Sequence, residues 1–241
     1  MALFLLLSFF SCRKENALDC FKANGPDKTE ARFPGNFSEV EVRDKIQLNI
    51  KPGPECRVEL MGGRNILKNI KTFVEGERLV IDNTNTCNFV RGYKREIKVT
   101  VTLPYLRFHM NNGVGPSVID PAFDQDTLLV RAENSGDIHI NGRFNEIRTS
   151  SHGNGDIYLS GRCNTFYIYS YGTNFVHAEN LRVSTMTFVH SQTLGDCTVS
   201  ADSLAVLSCN IESKGNVYYT GKPGVIVDYS AEGIPGKLIS R

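Results

Sequence analysis

Asp137, Asp156 and Asp196 each follow a glycine and each open a short run of mostly apolar-x-apolar residues: Gly136-Asp137-Ile138-His139-Ile140, Gly155-Asp156-Ile157-Tyr158-Leu159 and Gly195-Asp196-Cys197-Thr198-Val199. Carboxylates that recur in this way do chemistry only if the fold gathers them. Two at the right separation act as acid and nucleophile on a glycosidic bond, and several around one point hold calcium. The same phrase returns with other polar residues in Pro116-Ser117-Val118-Ile119, Thr173-Asn174-Phe175-Val176-His177 and Gly215-Asn216-Val217-Tyr218-Tyr219. The position therefore asks for a turn-forming polar group rather than a charge. Asp137, Asp156, Asn174, Asp196 and Asn216 are expected to form a structural column at a corner. Gly153-Asn154-Gly155-Asp156 is similar to a calcium-binding nonapeptide, but the period here is not nine.

Other reactive side chains are scattered. The five histidines, His109, His139, His152, His177 and His190, show no metal-ligand spacing, and no serine or cysteine sits in a nucleophile motif. No Cys-x-x-Cys or Cys/His pattern suits zinc. We therefore expect no catalytic residue, no metal and no cofactor. His139 and Tyr158 fall in one outward column, whereas His177 falls in an apolar column and is expected to point inward. The more informative group is Thr165-Phe166-Tyr167-Ile168-Tyr169-Ser170-Tyr171. Alternation sets Tyr167, Tyr169 and Tyr171 on the face opposite Phe166 and Ile168. Tyrosine is amphipathic and favoured at interfaces, so these three are the candidate binding face for a glycan, a surface protein or a second copy of the chain.

The elements that position these residues follow from the repeat. The polar residue recurs at 117, 137, 156, 174, 196 and 216, intervals of 18 to 22. A period near twenty is one coil of a solenoid. Each unit carries a second extended run upstream of its turn, such as Leu128-Leu129-Val130-Arg131-Ala132 or Ala205-Val206-Leu207-Ser208-Cys209. Short alternating strands with Gly, Asn and Asp at the corners describe an all-β chain, a parallel β-helix. An antiparallel sandwich would show neither the fixed period nor the matching turns. The expected inward ladder is Ile138, Ile157, Phe175, Cys197 and Val217, with Val118 beneath. Residues 33–103 are strand-rich without the repeat and read as irregular first coils or a cap; 104–232 hold the regular coils, and 233–241 read as a tail. The best helical stretch is 65–71.

Twenty-seven basic residues against 26 acidic give a net charge of +1, which leaves no basic surplus for nucleic acid. Ala2 to Phe10 is nearly all apolar and is followed by Ser11-Cys12-Arg13-Lys14. That stretch is too short to span a bilayer but suits an export signal. Residues 1–11 are expected to be a lipoprotein-type signal, Cys12 the lipidated residue, and 12–32 a tether. The expected address is the cell envelope, at the outer membrane. Of the remaining six cysteines, Cys20 and Cys87 form the candidate disulfide, and Cys163, Cys197 and Cys209 read as small core or corner residues.

Several strings together carry a resemblance: the lipobox-like start, Asp19-Cys20-Phe21-Lys22, Asn69-Ile70-Lys71-Thr72 leading to Leu79-Val80-Ile81-Asp82-Asn83, Thr86-Cys87-Asn88-Phe89-Val90-Arg91, and the repeated Gly-Asp-Ile units. From about Cys12 to Pro223 the chain resembles the auto-transporter adhesin head GIN domain family of Bacteroidota lipoproteins. The resemblance implies a right-handed parallel β-helix without established catalytic residues and a role in adhesion. A non-catalytic, lipid-anchored binding module is the expected function. A glycan-degrading β-helix enzyme and a self-associating envelope component are the alternatives.

Overall fold

The computed structural model describes residues 24–85 and 96–241. The first elements are β1 (Asp27–Arg32), β2 (Glu39–Asp44), β3 (Gln47–Pro52) and β4 (Arg57–Gly63). A single helical turn, α1 (Arg64–Leu67), leads into the hairpin β5 (Ile70–Glu75) and β6 (Arg78–Asn83), and then β7 (Lys98–Leu103). The helix is shorter than the sequence suggests because the chain turns into β5 at Ile70, buried against the core. Beyond it come β8 (Phe108–Gly113), β9 (Ser117–Ile119) and β10 (Asp124–Ala132). Three long strands follow, β11 (Ile138–Ser151), β12 (Ile157–Ser170) and β13 (Val176–Ser191). The shorter β14 (Cys197–Ser200), β15 (Val206–Ile211), β16 (Val217–Thr220), β17 (Val225–Asp228) and β18 (Leu238–Ser240) complete the chain.

From β8 onward the described strand pairs are parallel and stack coil upon coil, as a parallel β-helix requires. Each long strand serves two faces because it bends midway. Gly161 makes this bend with φ +98, and a Cβ there would lie 2.1 Å from the carbonyl oxygen of Gly142 one coil below, so only glycine fits. The first turns are stacked out of chain order. β2 lies between β6 and β8, and β3 lies between β7 and β9, all in parallel. β5 pairs antiparallel with β6, while β4 pairs antiparallel with β7 and with β1. These reversed strands cover the sheet edge that the first coil would otherwise present.

Two expected boundaries need correcting. The stretch 27–32 is not tether: Asp27–Arg32 is a strand in register with Arg57–Gly63, and the Arg32 guanidinium donates to the carbonyls of Leu67 and Ile70. Nor is 233–241 a free tail, since Leu238 and Ile239 pair with Val217 and Tyr218. Both errors arise from polar or short segments whose pairing partners are distant in sequence.

The core runs the length of the solenoid. One inward ladder is Ile138, Ile157, Val176, Cys197, Val217 and Leu238, with Ser117 below. Phe175 and Val118 are therefore not in it; they are 43% and 41% exposed. A second ladder, Leu128, Ile147, Phe166, Thr187 and Leu207, is fully buried.

Candidate functional site

Side-chain chemistry at the corner is spent on the backbone. Asp137 Oδ1 accepts from the Asp156 N–H at 2.9 Å, and Asp156 Oδ1 from the Phe175 N–H at 2.8 Å. Asp196 Oδ1 accepts from the Asn216 N–H at 2.8 Å, and Asn216 Oδ1 from the Lys237 N–H at 3.0 Å. Each carboxylate or amide thus caps an N–H of the next coil, as a turn residue does. Asn174 does not belong to this column. It occupies the neighbouring glycine column, its carbonyl oxygen 2.0 Å from where a Cβ on Gly195 would sit. Its buried amide accepts from Ser151 Oγ at 2.8 Å. Phe175 takes the corner position instead and separates Asp196 from the Asp137–Asp156 pair.

That one-residue shift also moves His177. It lies outward in register with Tyr158 rather than inward, so the inward expectation is corrected. His139, Tyr158 and His177 form a triple stack, with centroids 4.7 and 4.6 Å apart and rings within 10° of parallel. Burial, reinforced by Asp156, raises the Tyr158 phenol above its usual range. The Asp156 carboxylate lies 3.8 Å from His177 Nε2.

Tyr167, Tyr169 and Tyr171 project from β12 and the residue after it, on a different face. Coil neighbours extend them into one aromatic surface. Phe188, one coil above, lies 6.3 Å from the ring of Tyr167 and 6.0 Å from that of Tyr169. His190 approaches Tyr169 and Tyr171 at 6.3 and 5.8 Å, and His152, one coil below, stacks on Tyr171 at 5.0 Å. The Arg148 guanidinium covers Tyr167 at 4.6 Å and is held by Glu146 at 2.6 Å. A guanidinium over the ring face is attracted by the ring's quadrupole, which favours this placement of the half-buried Tyr167. Reasoning from the sequence missed Phe188, His190, His152 and Arg148. The coil offset could have found them, because they stand about one repeat away from the tyrosines.

The remaining sites are structural or lie elsewhere. Cys163, Cys197 and Cys209 are buried free thiols whose burial pushes their pKa up to about 12. They are poor nucleophiles. His109 is wholly enclosed, and its Nδ1 faces the Val40 carbonyl at 3.1 Å. A carbonyl only accepts, so Nδ1 carries the proton; burial lowers the pKa to about 4. Among the described residues, no group of histidine, cysteine and carboxylate side chains is placed to hold a metal ion. No helix among them is long and apolar enough to cross a membrane. Cys12, Cys20 and Cys87 lie outside the described residues.

Comparisons with known proteins agree with this architecture. A putative adhesin from Bacteroides fragilis superimposes with a TM-score of 0.75 over 90% of this chain and 97% of its own, at 22% identity. A putative lipid binding protein from Parabacteroides distasonis gives a TM-score of 0.65 over 90% and 98%, at 16% identity. A putative adhesin from the same species gives 0.61 over 89% and 98%, at 15% identity. No curated protein matches the sequence. One family model does match, over residues 36–223.

Proposed function

Because the chain belongs to the "Putative auto-transporter adhesin, head GIN domain" family, we propose that it is a non-catalytic binding module of the cell envelope that uses its aromatic face for adhesion. The observation that carries this reading is the continuity of that face. Tyr167, Tyr169 and Tyr171 join Phe188 and His190 on one flank and Arg148 and His152 on the other, across three coils. Rings held side by side on rigid strands offer stacking area at little entropic cost. The three tyrosines project a phenol hydroxyl as well, so a glycan or the surface of a partner protein suits the face. The corner carboxylates each spend an oxygen on a backbone N–H of the next coil, which supports a structural rather than an acid–base role for that column.

In this reading residues 1–11 direct export, Cys12 carries the lipid, and the stretch before β1 is the tether to the membrane. The Parabacteroides relative named for lipid binding is compatible with a surface role.

A glycan-array screen of the full chain beside the Tyr167→Ala/Tyr169→Ala/Tyr171→Ala variant tests the proposal. Binding by the parent that falls at least about tenfold in the variant is the expected outcome, since each lost stacking contact weakens binding. No binding of neutral glycans by the parent, equal binding of them by both, or dimerisation of the parent that the variant abolishes, would overturn the glycan reading of this face.

A further inference from the structure

A second surface lies away from the tyrosine face, where the long strands bend. It is an open groove of about 870 Å³, within the size range of small-ligand sites. Arg143, Arg162 and Arg182 stand in register along its floor on successive coils, about 4.8 Å apart as adjacent strands are. Arg143 is neutralised by Asp124 at 3.0 Å. Arg162 and Arg182 are exposed and make no ion pair among the described residues. Two like charges on neighbouring strands, neither held in a close ion pair, repel each other. An anion between them would remove that cost, and a guanidinium pair matches a carboxylate in planar, bidentate fashion.

Beside the arginines runs a hydrogen-bonded rail. Asn164 donates to Asn145 at 2.8 Å, and Ser184 donates to Asn164 at 2.9 Å. These fixed amides suit hydroxyl groups. The coil that carries Arg182 is also modified: β13 gains a residue against β12 on each side of the 180–183 segment, between Tyr158/Ser160 and Cys163/Thr165. Bulges of this kind re-aim side chains and recur beside functional sites. They also explain why the corner column steps by 21 residues from Phe175 to Asp196, against 19 on the two steps before it.

We infer that this groove binds a glycan through a sugar carboxylate, held between Arg162 and Arg182, with the Asn145–Asn164–Ser184 rail receiving sugar hydroxyls. Charge balance separates this ligand from a dense polyanion. Asp124, Glu179 and Asp202 face the same groove as the three arginines, so a phosphate chain would meet as many carboxylates as guanidinium groups. Single-stranded nucleic acid also wants exposed rings to stack on, and the one ring lining the groove, Phe144, is buried.

Sugar carboxylates come as uronates or as sialic-type acids. Calorimetric titration of the full chain with trigalacturonate and, separately, with sialyllactose distinguishes the sources; methyl-esterified trigalacturonate and lactose are the neutral counterparts. At least one acidic sugar binds, and its neutral counterpart and the Arg162→Gln/Arg182→Gln variant each bind at least about tenfold more weakly. Arg162→Lys/Arg182→Lys keeps the charge without the bidentate fork and falls between the two. Both positions are exposed, so an unchanged melting curve certifies the fold. The Tyr167→Ala/Tyr169→Ala/Tyr171→Ala variant retains acidic-sugar binding, which keeps this test separate from that of the aromatic face. Any of four results overturns the inference: no binding of either acid, equal binding of acid and neutral sugar, full binding by the glutamine variant, or tighter binding of an oligothymidylate.

Discussion

His109 shows what one buried side chain does to the pH dependence of the whole fold. It stands in an inward ladder beneath Val130 and Thr149, fully enclosed, with no partner for Nε2. The folded protein therefore keeps it neutral down to a pKa of about 4, while the unfolded chain protonates it near 6.5. Above pH 6.5 both states are neutral and His109 leaves stability unchanged. As pH falls from 6.5 towards 4, only the unfolded state takes up the proton, and the fold loses stability on the order of 3 kcal/mol. Denaturant melts at pH 7 and pH 4.5 are expected to show this loss, with a His109→Leu variant losing measurably less over the same interval. An identical pH dependence in the variant would remove His109 as the cause.

At the scale of the element, the corner decides which residues fit. The glycine column Gly136, Gly155, Gly195, Gly215 and Gly236 lets each coil descend onto the one below. A Cβ on Gly215 would lie 2.0 Å from the Gly195 carbonyl oxygen. Gly215→Ala is expected to lower stability by about 2–4 kcal/mol, because backbone rather than a mobile side chain must give way. Chemical denaturation measures it; a loss under half a kilocalorie would mean that neighbouring coils shift freely. Asn174 meets the same demand differently: it keeps the column's carbonyl in place and turns its amide inward onto Ser151. The fourth repeat is legible only after that exchange is recognised. Read as a corner polar residue, Asn174 displaces Phe175, Val176 and His177 by one position, and a slip of one flips each side chain to the other face.

For the whole molecule, a solenoid's stability is distributed coil by coil, each contacting its neighbours. Phe166 sits mid-stack, among the largest fully buried side chains. Phe166→Ala is expected to cost about 3–5 kcal/mol through lost burial and an unfilled cavity. Ile226, 44% exposed in β17 near the end of the stack, is expected to cost under about 1 kcal/mol on the same change. Equal losses at the two sites, measured by denaturant titration, would contradict a stability built from local stacking. The two surfaces proposed for binding follow from the same geometry. Because coils rise by one strand spacing, side chains twenty residues apart in sequence become neighbours, and rows such as Tyr158 on His139 or Arg182 on Arg162 assemble from single residues.

The sequence by itself determined the all-β solenoid, its period, most of its inward ladder and the outward face of Tyr167, Tyr169 and Tyr171, because alternation and turn chemistry are local. The resemblance in its motifs pointed to the family that the match over 36–223 establishes. Tertiary structure decided the rest. The out-of-order stacking of β2 and β3 between β6, β7 and β8, β9 depends on pairings between segments far apart in the chain. So does the use of 27–32 as a capping strand. The rings around the tyrosines and the arginine row are contacts between coils, fixed by register, and a two-residue excess within one strand is enough to reset that register.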